Sequence, residues 1–69
     1  MRVTPSQAKT LKREIAGLDL TRYKVAAALD MDPSHFSRAL KGEREVPTDF
    51  VQTALAVMKR LVAEKAEVA

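Results

Sequence analysis

The segment Leu20-Thr21-Arg22-Tyr23-Lys24-Val25-Ala26-Ala27-Ala28-Leu29-Asp30-Met31-Asp32-Pro33-Ser34-His35-Phe36-Ser37-Arg38-Ala39-Leu40-Lys41-Gly42 reads as two short helices joined by a tight turn. Thr21 is a suitable N-cap, and Val25, Ala26 and Leu29 give one buried stripe, predicting a helix from about Arg22 to Leu29. Asp30-Met31 then makes the connection, because Asp takes a left-handed conformation at lower cost than most residues. Asp32-Pro33 supplies a second cap followed by a first-turn proline. Phe36 and Leu40, four apart, face inward with Ala39 beside them, and Gly42 closes a helix from about Pro33 to Leu40. That leaves Pro33, Ser34, His35, Ser37, Arg38 and Lys41 on its outer face.

On the N-terminal side, Thr4-Pro5-Ser6-Gln7 has the pattern of a capping box. Ala8, Leu11, Ile15 and Leu18 follow at helical spacing, predicting a helix from about Pro5 to Ala16 with Gly17 as its stop. On the C-terminal side, Glu43-Arg44-Glu45-Val46-Pro47 reads as a charged loop. Thr48 is the expected cap of a long helix, about Asp49 to Glu67, with apolar pairs Phe50/Val51, Ala54/Leu55, Val57/Met58 and Leu61/Val62. The expected fold is all-α, four helices, or five if the last breaks near Ala63. No strand pattern or internal repeat interrupts it.

Size and composition narrow the function. Sixty-nine residues make one domain with a small core and little room for a walled substrate cleft. The chain has no cysteine, which removes disulfides, thiolate metal sites and thiol nucleophiles. One histidine and no phosphate-cradling glycine loop leave no catalytic constellation, so no enzyme, cofactor, metal or small-molecule substrate is expected. Tyr23, Phe36 and Phe50 are a poor supply of stacking platforms for single strands. No apolar run approaches a membrane span, and no signal segment follows Met1, so a cytoplasmic, nucleoid-associated location is expected. The net charge is +3. Met1 to Lys24 carries six Lys/Arg against two acids, a net of +4; Val25 to Ala69 carries six against seven, a net of −1. A polyanion is one partner for that excess, and a solvated surface explains it equally.

The paired helices closely resemble the helix-turn-helix of the Cro and lambda-repressor-like family of bacterial and phage DNA-binding domains, over about residues 21–42. The matching features are the Thr21 cap, small Ala26 where the helices cross, apolar Met31 after the turn, Phe36 as core anchor, the Ser37-Arg38 pair and closing Gly42. The flanking helices extend the likeness from about Thr4 through Leu61. Two departures stand out. The family usually has Gly where Asp30 stands, and its loop after the third helix is often basic, whereas Glu43 and Glu45 flank Arg44 here.

The resemblance implies a lambda-repressor-like bundle that binds double-stranded DNA as a homodimeric repressor on an inverted repeat. It implies base contacts from Arg38, Ser34, Ser37 and His35, with Arg38 gripping guanine bidentately. It implies phosphate contacts from Arg22, Thr21, Lys41, Arg44 and Lys24. Each has a plainer reading as a solvated surface residue. Met58, Leu61 and Val62 are expected in a dimer interface, with Ala66 and Val68 as surplus apolar residues, although such a stripe also suits a core. With no effector domain in 69 residues, control is expected through the protein's own concentration. The rival expectation is an antitoxin or other protein-interaction module of the same fold; a non-specific architectural DNA binder is disfavoured by the low charge and the lack of an apolar wedge.

Overall fold

A computed structural model describes residues 1–68, with side chains as far as Glu64. Four helices run in the order α1 (Pro5–Gly17), α2 (Arg22–Ala28), α3 (Pro33–Leu40) and α4 (Phe50–Val68). No strand occurs among the described residues. The expected bounds hold within a residue or so, and α4 continues through Ala63 without a break. The side chains of Ala66 and Val68 lie outside the described ones.

Local chemistry starts the first three helices. Thr4 Oγ1 accepts from the Gln7 N–H at 3.1 Å while Gln7 Oε1 accepts from the Thr4 N–H at 3.0 Å, completing the capping box. Thr21 Oγ1 accepts from the Lys24 N–H, and Asp32 Oδ1 from the Ser34 N–H. The last helix enters differently from expectation. Thr48 and Asp49 form a turn, the Phe50 N–H donates to the Pro47 carbonyl at 3.0 Å, and Asp49, not Thr48, directly precedes the helix.

The same three helices end alike. After α1, Leu20 N–H reaches back to Ile15 C=O (2.9 Å) and Asp19 N–H to Ala16 C=O (3.2 Å). After α2, Met31 N–H reaches Ala26 C=O (2.8 Å) and Asp30 N–H reaches Ala27 C=O (3.0 Å). After α3, Glu43 N–H reaches Arg38 C=O and Gly42 N–H reaches Ala39 C=O, both at 3.0 Å. Each is a Schellman motif, which needs a left-handed residue. Asp19 (φ 56°), Asp30 (φ 57°) and Gly42 (φ 75°) fill that position. Asp30 thus takes the left-handed conformation that Gly adopts most easily. Gly17, expected to stop α1, is instead its last helical residue, and the reversal falls on Asp19 two residues later.

The core threads all four helices and the loop before α4. It gathers Leu11 and Ile15 of α1, Val25 and Ala26 of α2, Phe36, Ala39 and Leu40 of α3, and Phe50, Ala54 and Met58 of α4. Ala26 and Phe36 are both 0% exposed. The Phe36 and Phe50 rings lie 6.2 Å apart at 46°, joining α3 to α4. Met58 is 1% exposed, so it belongs to this chain's own core and has no surface left for a partner. Leu61 and Val62 pack on that core and stay half-buried.

One long-range element has no counterpart in the sequence reading. The Met1 ammonium donates to the Val46 carbonyl (2.8 Å), and the Val46 N–H donates to the Met1 carbonyl (2.7 Å). Arg2 Nη1 donates to the Gly42 carbonyl at 3.1 Å. This clasp buries Val3 and Val46 and brings the Val3 carbonyl over Gly42, where an added Cβ would sit 2.9 Å from it.

The two glycines should therefore respond oppositely to alanine. Gly17 is helical with nothing within 4 Å of an added Cβ, so Gly17→Ala should stabilise by about 0.5–1 kcal/mol. Gly42→Ala should destabilise by about 2 kcal/mol or more, combining left-handed strain with the clash. Thermal melts of both variants check this. Met58→Ala should cost about 2–5 kcal/mol, as core truncations do, with a shift in Tm that does not depend on protein concentration. A concentration-dependent shift would return Met58 to an interface.

Candidate nucleic-acid interface

Burying Phe36, Ala39 and Leu40 dictates what α3 presents outward. Ser34, Ser37, Arg38 and Lys41 are spaced three and four apart and so share the opposite face. Ser34, His35, Arg38 and Lys41 are exposed and Ser37 is half-buried. On α2, Thr21, Arg22 and Lys24 are exposed, as is Arg44 in the loop.

The expected contact residues line different grooves. Thr21, Arg22, Ser34 and Ser37 line a shallow groove where the start of α2 meets the start of α3. His35 and Arg44 lie around a separate groove, with Leu29, Met31, Pro47 and Phe50. Lys41 lines a third, with Lys9 and Lys12 of α1. Arg38 and Lys24 line none of these three. Position 35 lies about 100° around the helix from position 34, so His35 turns toward the α4 side.

Two details alter the reading of individual side chains. The Ser34 hydroxyl donates to Asp32 Oδ1 at 2.7 Å, so its proton is committed to the cap and its oxygen is left to accept. That hydroxyl, and then the Ser34 N–H, hold the exposed Asp32 carboxyl below the ordinary carboxylate range, with a small further push from His35. Tyr23 is 72% exposed, and it shares the groove of Arg22 and Ser34. The sequence reading passed over it as one of too few aromatics. Its place one residue after Arg22, off the Val25/Ala26 stripe, was the available signal.

Among the described residues, no group of three His, Cys, Asp or Glu is placed to hold a metal ion, and no helix is long and apolar enough to cross a membrane. No family model, curated protein or solved structure matches the chain.

The Asp32 cap sets a pH dependence. Because its pKa is lowered on folding, its contribution is present above the ordinary value of 3.8 and is lost as pH falls through the lower folded value. Asp32→Ala should melt below the parent near neutral pH, and the gap should narrow as the pH falls below 3.8. A gap unchanged across that range would show that the ionised cap contributes nothing.

Proposed function

We propose that this chain reads duplex DNA as a small helix-turn-helix regulator, most simply a homodimeric repressor on an inverted repeat. The observation that carries the reading is the division of α3 into a buried apolar face and an exposed polar face of Ser34, Arg38 and Lys41. A helix of this width fits the major groove of B-DNA, where base edges present a distinguishable donor and acceptor code. With side chains the helix is about 10–12 Å across, which matches the groove's width of about 12 Å. Ala26, without bulk, supports the close approach of α2 to α3 that such a motif needs.

In this reading Arg38 is the principal base reader, because a guanidinium can donate twice to guanine O6 and N7. Ser34 and Ser37 add acceptor and donor contacts of low discrimination. His35, turned toward the α4 side, is a weaker candidate for contact with a base or phosphate. Arg22, Thr21, Lys24 and Arg44 position the protein on the backbone without reading sequence. With Met58 committed to the core, a dimer would use half-buried Leu61 and Val62 or another face. Two-fold symmetry would set the recognition helices about 34–36 Å apart.

Enrichment from random duplex DNA at about 150 mM salt tests the reading. An enriched inverted repeat is expected; no enrichment by folded protein would turn the assignment to a protein-binding module. Arg38→Ala should cost about 1–3 kcal/mol on the enriched site and relax one base position. Equal loss on random DNA would remove its base-reading role. Arg22→Ala should weaken all sequences alike and lower the salt slope by about one.

A further inference from the structure

The groove lined by Lys9, Lys12 and Lys41 is absent from the sequence-based set of contacts except for Lys41. Its three lysines come from elements far apart in the chain. Lys9 and Lys12 stand one turn apart on α1, and Lys41 follows the last residue of α3. All three are exposed, while the groove floor, Ala8 and Leu40, is buried. The described residues lining it include no carboxylate, whereas the other two grooves include Asp32, or Glu45 and Asp49.

The sequence of α1 makes this clustering unfavourable in isolation. Lys9 lies three residues from Lys12 and four from Arg13, and no acid stands three or four residues from Lys9 or Lys12. Like charges at these spacings destabilise a helix by a few tenths of a kcal/mol per pair, and Lys41 adds a third ammonium from α3. A surface that is merely solvated gains nothing from this convergence. A polyanion does, through charge neutralisation and release of its counterions.

We infer that Lys9, Lys12 and Lys41 form a phosphodiester-binding site for the backbone of the same duplex that α3 reads. The inference rests on the DNA reading above. The groove of Thr21, Arg22 and Ser34 lies at the start of α3, and the lysine groove lies at its end. A helix seated in the major groove has a phosphate backbone on either side of it, so basic groups beyond both of its ends can reach phosphates. Arg22 at one end of α3 and the α1 lysines at the other then both hold the backbone. The ammonium groups act as point charges on flexible stems, so they add affinity and no base preference.

The salt dependence of binding to the enriched duplex, and to a scrambled one, tests this with the Lys9→Gln/Lys12→Gln variant. Two lost phosphate contacts should lower the slope of log K against log salt by about 1.8. Both duplexes should lose affinity by the same factor, and the enriched sequence should be unchanged. Melting profiles establish that the variant is folded. The Lys59→Gln/Arg60→Gln variant, altered at exposed positions of α4 outside this groove, should keep the parental slope. A parent that binds DNA with a slope unchanged in the α1 variant overturns this site and leaves the DNA reading standing. An equal drop in the α4 variant also overturns it, by assigning the effect to net charge. A parent that binds no duplex at low salt overturns both.

Discussion

Phe36 is the side chain through which α3 acquires a fixed orientation. It is wholly buried, it packs near the Phe50 ring, and it shares a core with Val25 and Ala26. An eight-residue helix is too short to be stable alone in water, so its position depends on that burial. Once Phe36, Ala39 and Leu40 are turned inward, the 3.6-residue repeat leaves Ser34, Ser37, Arg38 and Lys41 outside. The outer face is a geometric consequence of the inner one. Ala26 matters for the same reason: a larger side chain there would push α2 away from the helix it supports.

Much of this was legible in the chain because it is local. Caps are written in adjacent residues, so Thr4, Thr21 and Asp32 could be read directly, and the stripes of α1, α2 and α3 follow from helical spacing. The turn at Asp30 was legible because few residues other than Gly accept a left-handed backbone. The placement of that conformation after α1 was not, since Gly17 competes with Asp19 on local propensity alone. Met58 could not be assigned from α4 by itself, because its apolar residues serve a core or a partner equally until the packing is known.

The candidate site was legible as a residue set and illegible as an arrangement. Ser34 and Arg22 were named from the helix pair and share a groove. His35 and Arg44 were named with them yet line another groove, His35 because one residue along α3 is a rotation of about 100° and Arg44 because it lies in the loop beyond the helix. The meeting of Lys9 and Lys12 with Lys41 depends on how the shared core places α1 beside the end of α3, and no spacing along the chain encodes it. Charge in this molecule stays at the surface: no polar or charged side chain is buried among the described residues. Outside the Asp32 cap and the Arg2 contact, surface charges can therefore be altered with little cost to folding.

The clasp between Met1 and Val46 has a consequence for local opening. The two residues are 45 apart, and closing so long a loop carries more entropy than forming any helix turn in the chain. Local opening of this clasp breaks two hydrogen bonds and leaves the helices' own bonds in place. Its opening would uncover Val3 and Val46 and lift the Val3 carbonyl from Gly42. The amide of Val46, although in a loop, is shielded from exchange with solvent only for as long as that arm stays down.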